Sequence, residues 1–160
     1  MSSDRPRSSF LLGPAIALLV GACGGPDAQP LLRGRISGEY KGMSFTPAFG
    51  IAFDRTVVSK LIVLGDEEID CETPLDDDPP SGNVAIIGLD SFEVGPHRRL
   101  LINLMHNVGG LEGRGSNLAE VTITESTPHS VSATVTYAHV DDENFSYGLN
   151  GTFMITRCPQ

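Results

Sequence analysis

The chain has 160 residues, 11 basic against 20 acidic side chains, a formal net charge of −9, no tryptophan and 3 tyrosines. That length suits one domain with a real core. The acidic balance argues against nucleic acid as a partner and against electrostatic docking on anionic lipid headgroups. The scarcity of large aromatic rings weakly disfavours a carbohydrate enzyme or lectin.

The chain opens with Arg5 and Arg7, followed by an almost uncharged apolar run over 10–22 that includes Leu11, Leu12, Ile16, Leu18 and Leu19. A bilayer span needs about 20 apolar residues, so this run is too short to cross; it has the length of a signal-peptide core. It ends in Val20-Gly21-Ala22-Cys23. This segment resembles the lipobox of bacterial lipoproteins, in which an aliphatic residue and two small residues precede an invariant cysteine. The resemblance implies a diacylglycerol thioether on Cys23, cleavage after Ala22 and acylation (a palmitate-type modification) of the new amine. It therefore implies a membrane partner through a lipid anchor and a place in the bacterial cell envelope. Gly24 stands where an Asp would favour inner-membrane retention, so the outer membrane is the favoured site. Gly24 to Pro30 reads as a short flexible tether. The predicted organisation is a signal peptide at 1–22, a lipidated cysteine and tether at 23–33, and a folded domain at 34–160.

Removing residues 1–22 leaves 138 residues, of which 9 are basic and 19 acidic, formally −10. Cys71 and Cys158 are then the remaining cysteines. Outside the cytoplasm two such cysteines normally form a disulfide, and neither lies in a Cys-x-x-Cys redox motif. The alternative is a pair of free thiols.

Alternation of period two dominates the rest of the chain. Ile36 to Tyr40 predicts a first strand. Met43, Phe45, Pro47, Phe49, Ile51 and Phe53 fall on alternate positions, and Pro47 predicts a bend, break or edge there, because it has no N–H for a ladder. Val57 to Leu64 and Leu100 to Met105 are apolar on both faces and predict central strands covered on both sides. Val84 to Leu89 and Ser91 to Val94 predict two more strands, with a bulge at Gly88 and a hairpin turn at His97-Arg98-Arg99. Leu118 to Arg157 predicts a three-stranded meander, turning at Thr127-Pro128-His129 and at Asp141-Asp142-Glu143-Asn144. Two longer connections remain: acidic Gly65 to Asn83, and glycine-bearing Val108 to Asn117. No helical period or internal repeat is evident. About eight strands with Gly/Pro turns predict an all-β fold, a single antiparallel β-sandwich, with a small closed β-barrel as the alternative.

Few residues carry a chemical signal. Asp66, Glu67, Asp70, Asp76, Asp77 and Asp78 supply carboxylate oxygens of the kind calcium binds, without the EF-hand spacing. A solvated, self-repelling loop accounts for them as well, and a hairpin tip accounts for Asp141-Asp142-Glu143. His97, His106, His129 and His139 form no zinc spacing and read as surface or turn histidines. Gly113-Arg114-Gly115-Ser116 is neither a nucleophile elbow nor a dinucleotide fingerprint. The cluster His97-Arg98-Arg99 offers at most an anion contact. The mature part shares a general likeness with small uncharacterised β-rich lipoproteins, and that likeness carries no activity. The expected function is a non-enzymatic envelope interaction or structural module with a protein partner in the envelope. The alternative is a binder of a small apolar ligand or of calcium. Either of the two long loops is the expected binding surface, because function concentrates on loops held by a rigid scaffold.

Overall fold

A computed structural model describes residues 31–56, 59–72, 80–108 and 111–159. These residues contain nine strands and no helix: β1 (Arg33–Tyr40), β2 (Met43–Phe45), β3 (Phe49–Thr56), β4 (Ser59–Gly65), β5 (Gly82–Leu89), β6 (Gly95–Asn107), β7 (Leu111–Ser126), β8 (Ser130–Val140) and β9 (Ser146–Arg157). The alternation of the sequence becomes an inward and an outward face along each strand. Pro47 interrupts the Met43–Phe53 run as its missing N–H requires, and β2 and β3 lie on either side of it.

The expected sandwich is not what forms. Strands β3 to β8 make a continuous antiparallel meander, and β9 pairs with β8 over its whole length, from Ser130↔Thr156 to Val140↔Ser146. The other edge of β9 then pairs in parallel with β3 at Ile51↔Thr156 and Ala52↔Arg157. That contact closes a seven-stranded mixed barrel, with β1 and β2 added as a hairpin on β9. A sandwich and a barrel impose the same in–out alternation, so the sequence pattern carries no vote between them.

The barrel interior is filled. Ile62, Leu64, Ile87, Ile102, Leu104 and Val121 come from four different strands and are almost completely buried together. A barrel of about this strand number has room for its own side chains and little else. A second, smaller cluster lies on the outer face of β3, β4 and β5, where Ile69 of the acidic loop covers Ile51, Val63 and Val84 beside Cys158. β4 is therefore covered on both faces, as its sequence predicts. β6 is not, because Leu101 on its outer face is 55% exposed.

Other expectations are corrected by the ladder. Ser91–Val94 is a connection, in which Phe92 turns into the core. His97-Arg98-Arg99 lies within β6, where Arg99 adopts φ 57° and the register shifts as a bulge, in place of a turn. Gly88 pairs in regular register with Leu61, so the bulge expected there is absent. Much of the glycine-bearing segment 108–117 is strand, with Gly113 opposite Met105 and Gly115 opposite Asn103. At Gly115 an added Cβ would stand 2.7 Å from Asn103 Oδ1, so that side chain would have to move aside.

The narrow β3–β9 closure is reinforced by charge. Asp54 on β3 has a side chain only 6% exposed; it receives Lys60 Nζ at 2.6 Å and Arg157 Nη2 at 3.0 Å, joining β3, β4 and β9. Arg157 also donates to the Thr127 carbonyl and lies over the Phe92 ring. Asp54→Asn leaves two partly buried cations without their carboxylate, and such losses cost roughly 3 kcal/mol. Urea unfolding is expected to show that loss as a lower midpoint with an unchanged slope; a loss below about 1 kcal/mol would mean that solvent screens the trio as it screens surface pairs.

Candidate functional site at the barrel mouth

The inward face changes character at one end of the barrel. On β6 the apolar series Leu100, Ile102, Leu104 continues to His106. On β8 the series Val131, Ala133, Val135 continues to Tyr137 and His139. β9 enters with Tyr147 before Leu149, and β1 ends on Tyr40. All 3 tyrosines of the chain thus come to the same end of the barrel. Tyr40 stacks on His106 at 5.9 Å, meets Tyr147 edge-on at 5.5 Å, and Tyr147 stacks on His139 at 6.4 Å. Four rings from β6, β1, β9 and β8 form a row across the mouth.

The β1–β2 hairpin leans over this row. Its turn, Lys41-Gly42, has φ 51° and 81°, the two positive values of a type I′ turn. Lys41 reaches across to β7, where its Nζ lies 2.6 Å from Glu112 Oε2. The same ammonium lies 5.8 Å from the Tyr40 ring centroid and 5.9 Å from that of Phe145. Ser146 donates to Glu39, and Gly42 N–H donates to the Ser146 carbonyl, which fixes the hairpin against β9.

The β8–β9 tip forms the opposite lip. Asp141 Oδ1 accepts from the backbone N–H groups of Glu143 (3.0 Å) and Phe145 (2.9 Å), and Oδ2 accepts from Tyr147 Oη at 3.1 Å. Asn144 takes φ 64° to complete the turn. Asp141 is thus committed to the loop, while Asp142 and Glu143 are exposed. Between the two lips is an open cavity of about 450 Å³, lined among others by Tyr40, Glu112, Arg114, Asp142 and Tyr147.

Beneath the row, a chain of hydrogen bonds orients His106. Asp66 accepts from Asn83 N–H at 2.7 Å and from Asn83 Nδ2 at 2.6 Å. Asn83 Oδ1 is left as an acceptor, 2.9 Å from His106 Nδ1. Nδ1 therefore carries the proton that Asn83 accepts, which fixes the orientation of the ring.

Electrostatics follow from the enclosure. Burial pushes the Tyr40, Tyr137 and Tyr147 phenols above their ordinary 10.0, and the hydrogen bond to anionic Asp141 adds to the effect at Tyr147. Burial works to raise Asp141, but the N–H of Phe145, the Tyr147 hydroxyl and the N–H of Glu143 outweigh it and hold the carboxyl below 3.8. The hydrogen bond and charge of Glu112 hold Lys41 above 10.5, and the reciprocal contact holds Glu112 below 4.5. A phenol or ammonium with a raised folded value binds its proton more tightly when folded. The mouth is therefore at full strength between the ordinary carboxylate range and pH 10; it loses stability as pH rises through the folded tyrosine and lysine values, and as pH falls through those of Asp141 and Glu112. Phenolate absorbance is expected to appear in one cooperative step, together with loss of circular dichroism. A tyrosine that ionises at its ordinary value while the fold is intact would contradict this.

The residues singled out from sequence fall in several places. Cys71 and Cys158 are bonded, with an S–S distance of 2.06 Å and Cα atoms 5.5 Å apart. Cys23, Asp76, Asp77 and Asp78 lie outside the described residues. Of the remaining calcium candidates, Asp66 is engaged with Asn83, Asp70 accepts from the Glu72 N–H, and Glu67 is exposed. Among the described residues no three His, Cys, Asp or Glu side chains gather as a metal site would require. His129 lies in the Thr127–Ser130 turn and His97 donates to the Glu93 carbonyl, but His106 and His139 are strand residues at the mouth and not turn histidines. The aromatic row was the feature sequence reasoning missed. Its signal was present as Tyr and His replacing aliphatic residues at one end of several inward-facing series. Comparison of the chain with protein-family models, with curated proteins and with solved structures finds no match.

Proposed function

We propose that this chain is a lipid-anchored lipoprotein of the bacterial envelope, and that its barrel is a non-enzymatic binding module whose contact surface is the mouth. The observation that carries this reading is the convergence of three tyrosines, two histidines and the Lys41–Glu112 pair on one open end of a barrel otherwise packed with aliphatic side chains. Rings that carry a polar edge are the side chains binding surfaces favour. Among the described residues the interior is packed with aliphatic side chains, which favours recognition at the rim. The position of the tether agrees with this. The chain enters β1 at Arg33, opposite Met154, and reaches the mouth only at Tyr40. An eight-residue strand is about 25 Å long, so the chain enters β1 at the end away from the rim, which supports the mouth as the contact surface.

The test is site-specific photocrosslinking of the full-length chain in its native envelope. Probes at Asp142 and Arg114 report on the mouth, and a probe at Thr124 reports on the outer wall. A discrete adduct from the mouth positions, absent from the wall and reduced in Cys23→Ala, is the expected result. Equal capture from wall and mouth, or none from either, would refute the mouth as the contact surface.

A further inference from the structure

The chemistry of the mouth is one-sided, and this specifies what it takes. Its cavity is lined by four carboxylates (Glu112, Asp141, Asp142 and Glu143) against two cations, Lys41 and Arg114. Beside the cavity, His106 is oriented by the Asp66–Asn83 chain. Aromatic faces from Tyr40, Tyr147 and Phe145 complete the surroundings. The site thus carries more carboxylates than cations, set beside several π faces. The protein also shows which group fits. The Lys41 ammonium sits with one carboxylate oxygen at 2.6 Å and two ring centroids within 6 Å, the arrangement of an aromatic cage for an alkylammonium. Lys41 is carried on a hairpin tip and is partly exposed, so its ammonium can be exchanged for another.

We propose that the barrel mouth is a receptor for alkylammonium groups, and that Lys41 is a built-in occupant which a ligand ammonium displaces from Glu112, Tyr40 and Phe145. Asp142 and Glu143, which the tip itself does not use, hold a second positive charge of the same ligand. A polyamine and a lysine-bearing segment of a partner protein present the same chemistry. This inference rests on the mouth being the contact surface, and it names the group recognised there.

The test is titration of the full-length chain, in a nonionic detergent, with spermidine and separately with a tetralysine peptide, followed by amide chemical shifts; tetraglutamate is the control. Lys41→Asn is the diagnostic variant. Asn-Gly suits a type I′ turn better than Lys-Gly, so the hairpin is retained while the cage is emptied. Its affinity for the cation is expected to rise about threefold, the scale of one exposed ion pair. Asp142→Asn/Glu143→Gln is expected to weaken binding about fivefold, and Glu120→Gln/Glu125→Gln, an equal charge change on the outer face of β7, by less than about twofold. Response to spermidine alone identifies a polyamine site, and response to tetralysine alone a peptide site; each supports the proposal. Equal weakening by both double variants overturns it in favour of diffuse attraction to an acidic protein, and weaker binding in Lys41→Asn overturns it because a vacated cage would then hold no ligand ammonium. Absence of binding by both cations also overturns it. In that case a mouth-specific photocrosslink would still stand, and the contact surface would be read by other chemistry.

Discussion

Replacing Cys71 and Cys158 with alanine is expected to lower stability by about 4 kcal/mol and the melting temperature by more than about 10 °C. The two cysteines are separated by 87 residues, so their bond removes a large loop entropy from the unfolded chain. It also acts on the folded side. The bridge holds the acidic loop over β3–β5, where Ile69 shields Ile51, Val63 and Val84 from water. Without it the loop relies on contacts such as Ile69, the Asp66–Asn83 pair and the Asn107 Nδ2 bond to the Pro80 carbonyl. The loss is a large fraction of the 5–15 kcal/mol that stabilises a typical domain. Thermal melts with and without reductant, compared with the double variant, read it directly. Coincident melts of the bridged and unbridged forms would show that the bridge constrains neither state.

Gly151→Ala is expected to cost at least about 3 kcal/mol through collision of backbone with backbone, with no side-chain interaction removed. Gly151 lies in the middle of β9, opposite Val135 on β8 and Ile36 on β1. Its φ is 143°, a region that L side chains avoid, and an added Cβ would run into the Arg35 carbonyl oxygen and stand 2.6 Å from Ile36 Cα. Both obstacles are backbone, so no rotamer change relieves them. The site lies where β9 is paired on both edges, and a displaced β1 would take the hairpin away from the mouth. Urea unfolding of Gly151→Ala beside the neighbouring, exposed Thr152→Ala measures the effect; the neighbour is expected to change stability by less than about 0.5 kcal/mol. Similar midpoints for the two variants would show that β1 and β9 can separate at little cost.

Much of the wall of this barrel is legible in the chain. The meander β7–β8–β9 follows from clean alternation and from turn chemistry at Thr127 and Asp141, both of which make the local hydrogen bonds their residue types favour. The break at Pro47 follows from its missing N–H. The second layer over β4 follows from apolar residues on both of its faces. The errors arise where a local signal has two physical outcomes. Glycines at 113 and 115 read as a loop, yet glycine also serves a strand that passes close to a neighbour. His97-Arg98-Arg99 read as a turn because a bulge and a turn share the same break in alternation. Leu101 read as covered because an aliphatic side chain has the same identity whether exposed or buried.

The mouth was less legible, for a different reason. Tyr40, His106, His139 and Tyr147 are up to 107 residues apart, counted from 40 to 147, and none forms a motif with another. Each marks only the last inward position of its own strand, and those ends meet because the sheet is closed.

Neighbouring residues and composition alone carried the all-β character, the strand phases, the cysteines available to pair and an almost uncharged apolar run that ends at Cys23. Tertiary structure decided barrel over sandwich, the parallel β3–β9 seam and the ring-lined mouth. Closure depends on which edges find each other across more than a hundred residues, and period-two alternation has the same form whichever edges meet.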